Sequence, residues 1–338
     1  MGALLEVKDL EVNFHTESGL IRAVRGVSFR LEPGETLAVV GESGCGKSVL
    51  CKSIAGILHQ RGRVDGGEIL LHGVNLAALS RREMVKIQGG KIGMVFQDPM
   101  TSLDPTYPVG EQIAEAVRAG KGAAKRAAKA RALELMELVG IDRPGERYRQ
   151  YPAHFSGGMR QRAVIAIALA GEPELLIADE PTTALDVTIQ AQVLEVFRRI
   201  QEKTGVGILF ITHDLGVVAR IASRVAVMYA GKFVETGTVR EVLHDPRHPY
   251  TWGLLSSLPI AEYSAPIPGS PPDLSRPIRG DAFAPRNPYA LEIDFEKEPP
   301  MFQAGGTHFA ATWLLHPDAP KIKPPVRVER GKIVREAT

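Results

Sequence analysis

Cysteine is nearly absent: the 338 residues contain two, Cys45 and Cys51. They stand six apart on what reads as one helix, so they point to different faces and are poorly placed for a disulfide. That suits a reducing compartment such as cytosol. Long apolar runs are also missing. The longest, Ala163–Ala170, is far short of the roughly 20 residues that span a bilayer. At the start, Met1-Gly2-Ala3-Leu4-Leu5-Glu6 brings a charge too early for a signal peptide. No sign of charge dominates, with 41 basic against 39 acidic residues and a net charge of +2. Composition therefore offers no argument for nucleic acid as a partner. No internal repeat is present. The hydrophobic share of 44% and charged share of 24% are those of an ordinary globular chain, and the length allows about two domains.

Proline is scarce in the first part and dense in the last. From Pro246 onward lie 16 of the 24 prolines, which excludes long helices there and predicts an extended, turn-rich appendage. It opens with His248–Leu255 and continues through Pro266-Ile267-Pro268-Gly269-Ser270-Pro271-Pro272. Its aromatics, Phe283, Tyr289, Phe295, Phe302, Phe309 and Trp313, argue for a packed module, because disordered tails lack such residues.

The most informative stretch is Gly41-Glu42-Ser43-Gly44-Cys45-Gly46-Lys47-Ser48. It follows the apolar run Thr36–Val40 and precedes a segment with helical character, Val49–Leu58. That is the strand–loop–helix setting of the G-x-x-x-x-G-K-[ST] phosphate loop. Its glycines let backbone N–H groups approach phosphate oxygens, and the new helix adds its positive end. Lys47 is placed to reach β- and γ-phosphates, and the Ser48 hydroxyl to ligate Mg²⁺. Cys45 holds a variable position of the pattern and receives no chemistry.

Alternating apolar positions predict strands over residues 1–40, with a turn at Ser18-Gly19. Phe14 reads as an aromatic in a loop-like setting, open both to stacking on a nucleobase and to packing as a strand residue. Gly66–Gly73 reads as a strand with a turn on each side, and Lys91–Phe96 as a short strand that leaves Gln97 at its end. Residues 110–140 have a helical pattern, with an Ala/Lys/Arg-rich face expected in solvent and a stop at Gly140. Ser156-Gly157-Gly158-Met159-Arg160-Gln161-Arg162 opens a second helix whose start offers backbone donors to an anion.

Leu175–Ala178 is a continuous apolar run of the kind found in parallel strands buried on both faces. It ends in Asp179-Glu180, at the strand end where open α/β sheets bind ligands. There Asp179 is placed to hold Mg²⁺ through water and Glu180 to take a proton from an attacking water. Gly207–Thr212 is a second buried-type strand and delivers His213 to the same edge. Val225–Tyr229 and Lys232–Glu235 read as a hairpin around Ala230-Gly231.

In this order, Gly41–Ser48, Gln97, Ser156–Gln161, Asp179-Glu180, Ala184-Leu185-Asp186 and His213 resemble the nucleotide-binding subunit of an ABC transporter over residues 1–245. His248–Leu255 and Ile267–Asp273 resemble the C-terminal extension of oligopeptide and dipeptide importer ATPases, a group that includes nickel importers. The resemblance implies an α/β P-loop NTPase fold of ABC type. It places an ATPase core with an antiparallel β subdomain at 1–97 and 161–245, a helical subdomain at 98–160 ending in the signature, and the Pro-rich extension at 246–338. It implies ATP on Phe14, Gly41, Glu42, Ser43, Gly44, Cys45, Gly46, Lys47, Ser48, Val49, Gln97 and Asp179. Mg²⁺ is implied on Ser48, Gln97 and, through water, Asp179. Glu180, His213, Gln97 and Lys47 become the catalytic set. Ser156, Gly157, Gly158 and Gln161 act on the nucleotide of a second ATPase subunit, which Asp186 also faces. That subunit is a different chain or a second copy, and the assembly adds two transmembrane permeases and, indirectly, an extracytoplasmic substrate-binding protein.

The implied activity is ATP hydrolysis driving peptide uptake from the cytoplasmic face of the membrane. Nickel or sugar import and a soluble ABC-type ATPase are the alternatives. One departure stands out. Relatives of this type often carry four tail cysteines that bind an iron–sulfur cluster, and the corresponding positions here are Asp281, Asn287, Asp294 and Thr312. Clusters need thiolates, so none is expected, and the tail is expected to hold together through Phe283, Tyr289, Phe309 and Trp313.

Overall fold

A computed structural model describes residues 2–17, 19–183, 185–258, 266–329 and 332–335. Ser18 of the expected turn and Ala184 lie outside the described residues. In chain order, β1 (Leu5–Thr16), β2 (Gly19–Leu31) and β3 (Thr36–Val40) lead to α1 (Lys47–Ile54). Then come β4 (Gly62–Leu71), β5 (Val74–Asn75), α2 (Arg81–Gly90) and β6 (Ile92–Val95). A run of helices follows: α3 (Pro99–Ser102), α4 (Val109–Lys121), α5 (Lys125–Leu138), α6 (Pro144–Arg147) and α7 (Gly157–Ala168). The chain returns to the sheet with β7 (Leu175–Asp179), α8 (Val187–Thr204), β8 (Gly207–Thr212), α9 (Leu215–Ile221), β9 (Arg224–Tyr229) and β10 (Lys232–Thr238). The last part holds α10 (Val239–His244), α11 (Pro249–Ser256), β11 (Phe302–Gly305), β12 (His308–Ala310), β13 (Val326–Glu329) and β14 (Lys332–Arg335).

The main sheet has the order β11-β12-β10-β9-β3-β8-β7-β6. From β6 to β9 the neighbours are parallel, with Ile92 opposite Leu175, Leu175 opposite Gly207, Thr36 opposite Ile208 and Leu37 opposite Arg224. The pairs β9–β10, β10–β12 and β11–β12 are antiparallel. The extension is thus no detached appendage, because two of its strands continue the core sheet.

Every residue of β3, β7 and β8 is buried, as their unbroken apolar runs require for strands covered on both faces. Alternate residues feed different cores. Leu37, Val39, Leu175, Ile177, Leu209 and Ile211 pack with α1 and the four-stranded antiparallel sheet β2-β1-β4-β5. Leu176, Ala178, Ile208 and Phe210 face the helical layer of α4, α5, α7 and α8. Ala38, Val40, Val225 and Val227 face the extension, meeting Tyr250, Trp252, Leu255 and Phe283.

Several local expectations need correction. Cys45 and Cys51 do not share a helix: Cys45 is in the loop and Cys51 in α1, and both are free and buried. There is no turn at Gly66-Gly67. Strand β4 runs through it, and the extra residues are absorbed by a bulge where the register slips between Lys8 and Glu11. Gly67 sits there at φ 81°, where a Cβ would lie 2.4 Å from the Asp9 carbonyl oxygen, so only glycine fits. Phe14 is not in a loop but within β1, opposite Ile21 and Gly62. The helical stretch 110–140 is broken at Gly122, which takes φ 64° as the C-cap of α4. In α5, Ala128, Ala132, Leu135 and Met136 are buried. Their spacing leaves the Lys/Arg-rich face in solvent.

The tail aromatics do not form one cluster. Phe283 meets Tyr229 and Tyr250 edge to face, each at 5.3 Å between centroids. Tyr289 meets Trp252 at 5.3 Å and Trp313 meets Phe302 at 5.8 Å. Phe309 lies in β12, opposite Thr236 and Gln303. The extension is held mainly by what it buries against the core: Tyr250 and Phe283 are essentially inaccessible, each contributing roughly 2–3 kcal/mol by burial.

Candidate nucleotide site

Four parallel strands end on one edge of the sheet. The end of β3 releases the loop Gly41–Gly46, β7 ends at Asp179 with Glu180 next, β8 runs into His213, and Gln97 follows β6. A cleft of about 940 Å³ opens there. It is lined by Phe14, Gly41, Glu42, Ser43, Gly44, Gly46, Lys47, Ser48, Val49, Gln97, Glu180 and His213. Residues from five separate stretches of sequence therefore share one space. Cys45 belongs to the loop but turns its side chain inward, with the thiol 3.8 Å from Lys47 Nζ. Burial raises the thiol pKa, so it stays protonated.

The loop conformation depends on its glycines. Gly46 takes φ 110°, and a Cβ on it would come within 2.4 Å of the Ala23 carbonyl oxygen. Lys47 is buried and donates from Nζ to the carbonyl oxygens of Gly41 and Glu42 at 2.7 and 2.9 Å. Those bonds and the longer one to the Cys45 thiol hold the ammonium over its own loop, where an anionic oxygen can take over the weakest of the three donors. Ser48 donates to Asp179 Oδ1 at 2.8 Å. Burial raises the Asp179 pKa, partly offset by the Ser48 hydrogen bond and the nearby lysines.

Glu180 has a left-handed φ of 49°, unusual for a residue with a side chain. Its N–H still reaches the Ile211 carbonyl of β8 at 3.1 Å, so the peptide stays in the sheet while the carboxylate turns into the cleft. Three groups converge on one oxygen, Glu180 Oε2: Thr183 Oγ1 at 2.9 Å, His213 Nδ1 at 3.3 Å and Gln97 Nε2 at 3.4 Å. The other carboxylate oxygen has no bond within this group, an arrangement suited to accepting a proton from water.

The Ser156–Gln161 stretch is elsewhere: none of these residues lines the cleft. Ser156 caps α7 by accepting the Met159 N–H at 3.3 Å, and Ser156 and Gly157 are exposed. Gly158 is packed so closely on α8 that a Cβ would lie 2.6 Å from Ile189 Cγ2. Gln161 is buried, and among the described residues neither of its amide atoms has a hydrogen-bond partner. Asp186 caps α8 through the Ile189 N–H at 2.9 Å.

The sequence reading missed Thr183, Ile21, Ala23, Leu254, Pro271 and Leu274, all of which line the cleft. Thr183 carried a weak local signal, three residues after Glu180. The last three come from the extension, and no local pattern connects them to the loop.

At the four tail positions the side chains are buried and serve the backbone. Asp281 accepts the Phe283 N–H at 2.9 Å, Asn287 the Tyr289 N–H at 2.9 Å, Asp294 the Leu291 N–H at 2.7 Å and Thr312 the Leu314 N–H at 3.3 Å. Burial raises the pKa of Asp281 to about 7. This oxygen and nitrogen set does not fit an iron–sulfur cluster.

A glycine-rich loop capped by a helix, backed by strand-end carboxylates, defines a P-loop nucleotide-binding protein. Residues 24–183 match the ABC transporter family model, and residues 234–293 match the oligopeptide/dipeptide transporter C-terminal region. The chain is 59% identical to the oligopeptide transport ATP-binding protein OppD of Bacillus subtilis, over 96% of this chain and 93% of that one. It is 58% identical to the dipeptide transport ATP-binding protein DppD of Lactococcus lactis, over 95% and 93%. Among solved structures it resembles a dimeric ATP-binding cassette in a post-hydrolysis state bound to ADP and Pi. There the TM-score is 0.62 and the identity 27%, over 70% of this chain and 99% of that one. It also resembles CbiO1 from Clostridium perfringens, part of an ABC transporter complex, with TM-score 0.63 and 28% identity over 72% and 91%. The chain belongs to the ABC transporter ATPase family, in its oligopeptide/dipeptide branch. No described helix is long and apolar enough to cross a membrane.

Proposed function

We propose that this chain is the ATP-hydrolysing subunit that powers uptake of dipeptides or oligopeptides, from the cytoplasmic face of the membrane. The observation that carries the catalytic part is the convergence of Gln97, Thr183 and His213 on Glu180 Oε2 at the mouth of the phosphate loop. Glu180 takes the proton of the attacking water, His213 and Gln97 fix its carboxylate, and Lys47 neutralises the phosphates. Phe14 stands beside Ile21 at the cleft wall, in reach of the nucleobase. Ser48, Asp179 and Gln97 present the hard oxygen donors that suit the Mg²⁺ of MgATP, whose chemistry is to neutralise phosphate charge.

The second half of the site comes from another ATPase subunit. The exposed Ser156 and Gly157 at the start of α7 support this, because they offer donors away from their own cleft. In this reading Asp186 faces the same second subunit. The chain divides into an ATPase core at 1–97 and 161–245, a helical segment at 98–160 that docks on two permease subunits, and an extension at 246–338. The extension forms no iron–sulfur cluster, as the buried oxygen and nitrogen side chains at its four key positions support.

Peptide specificity follows the relatives' names, since the cargo does not touch this subunit. Affinity purification of the full chain from membranes tests the assembly. Two polytopic membrane proteins are expected, with peptide uptake lost on deletion. Recovery with ribosomes or DNA, or uptake of nickel or sugar in place of peptide, overturns it.

A further inference from the structure

The extension reaches the phosphate loop itself. Tyr250 OH accepts the Glu42 N–H at 2.7 Å. Arg286 forms a two-pronged ion pair with the Glu42 carboxylate, from Nη1 to Oε2 at 2.7 Å and from Nη2 to Oε1 at 3.0 Å. Arg286 is almost fully buried. Two further donors go to Tyr229 OH, from Nη1 at 3.2 Å, and to the Pro268 carbonyl, from Nε at 2.7 Å. Its guanidinium lies over the Tyr229 ring, and Tyr229, Tyr250 and Phe283 pack on one another at 4.6–5.3 Å between centroids. The anchor is therefore rigid, while the residue it grips belongs to a loop rich in glycine.

We propose that the extension is a working part of the nucleotide site, with Arg286 and Tyr250 as positioning residues that act on the phosphate loop through Glu42. Two physical effects combine. A loop with Gly41, Gly44 and Gly46 has many conformations to lose on binding phosphate, and a fixed Glu42 removes part of that cost beforehand. Glu42 also lines the cleft, where an unpaired carboxylate would repel a polyphosphate. The buried guanidinium cancels that charge. A bidentate pair with arginine does both at once, whereas lysine would supply charge without the fork. The inference rests on reading Gly41–Ser48 as the phosphate site.

The test is calorimetric titration of the full chain with MgADP. Arg286→Met is expected to weaken binding by about tenfold, the size of one uncompensated charge near a surface cleft. Adding Glu42→Gln to that variant removes the repulsion and is expected to restore affinity to within about threefold of the parent. A merely structural arginine would lower melting temperature without changing affinity, and Glu42→Gln would not rescue it. If Arg286→Met does not fold, Tyr250→Phe serves, because it removes only the hydroxyl that accepts the Glu42 N–H. Weakening by about threefold is expected. Unchanged affinity in a folded Arg286→Met, or in Tyr250→Phe when the former is insoluble, overturns the proposal. Lys47→Ala separates the two levels: if it keeps full affinity, Gly41–Ser48 is not the phosphate site, and the error lies there.

Discussion

Asp281 gives a quantitative test of how the extension is built. The carboxyl is buried and accepts the Phe283 N–H. Burial is the largest influence on it, and the charges of Asp294 and Glu298 push the same way, against the Phe283 bond and Arg25. Its pKa rises from 3.8 to about 7. The sign follows directly. The unfolded chain loses this proton near pH 4, while the folded chain keeps it to about pH 7. Folding therefore favours the protonated acid, and the stability it confers is full below pH 4 and lost as pH rises to 7. Each pH unit in that window costs about 1.4 kcal/mol, levelling off at about 4 kcal/mol above pH 7. Asp281→Asn keeps an acceptor for Phe283 and carries no charge at any pH. Its advantage over the parent is thus expected to be about 3 kcal/mol larger at pH 8 than at pH 5. Urea unfolding of both proteins at the two pH values measures it. An advantage that does not change with pH refutes the reasoning, since it would mean that Asp281 ionises in the folded protein at no cost.

Other expectations follow from the same geometry. Gly46→Ala places a methyl group 2.4 Å from the Ala23 carbonyl oxygen at a left-handed φ; it is expected to destabilise by more than about 1 kcal/mol and abolish nucleotide binding, read by thermal shift with and without ADP. Ser156→Asp keeps a cap acceptor for α7 but adds negative charge where the partner's γ-phosphate would sit. ATP hydrolysis of the assembled transporter is expected to fall more than about tenfold, with melting temperature nearly unchanged. As-purified protein is expected to be colourless; absorbance at about 400 nm with stoichiometric iron would show a cluster and refute the reading of Asp281, Asn287, Asp294 and Thr312.

Much of the site was legible because its signals are local. A phosphate loop needs glycines, Lys47 and Ser48 in immediate succession, and a buried parallel strand announces itself as an unbroken apolar run ending in Asp179-Glu180. What stayed hidden is long-range or register-dependent. Phe14 read as a loop residue because bulges in β1 break strict alternation. The turn expected at Gly66-Gly67 was a bulge, since glycine at positive φ serves both. Arg286 and Glu42 are 244 residues apart, and nothing in either stretch signals the other. The strands that join the extension to the core sheet, β11 and β12, are only four and three residues long, too short to show an alternation.

The central claim is that Glu180 is the base for ATP hydrolysis. Glu180→Gln preserves the size and most of the contacts of the side chain while removing its basicity. The assay compares ATP turnover by the assembled transporter with ATP affinity of the full chain. Turnover is expected to fall by roughly 10²–10⁴-fold while affinity stays within about threefold of the parent. Normal turnover in Glu180→Gln would contradict the account.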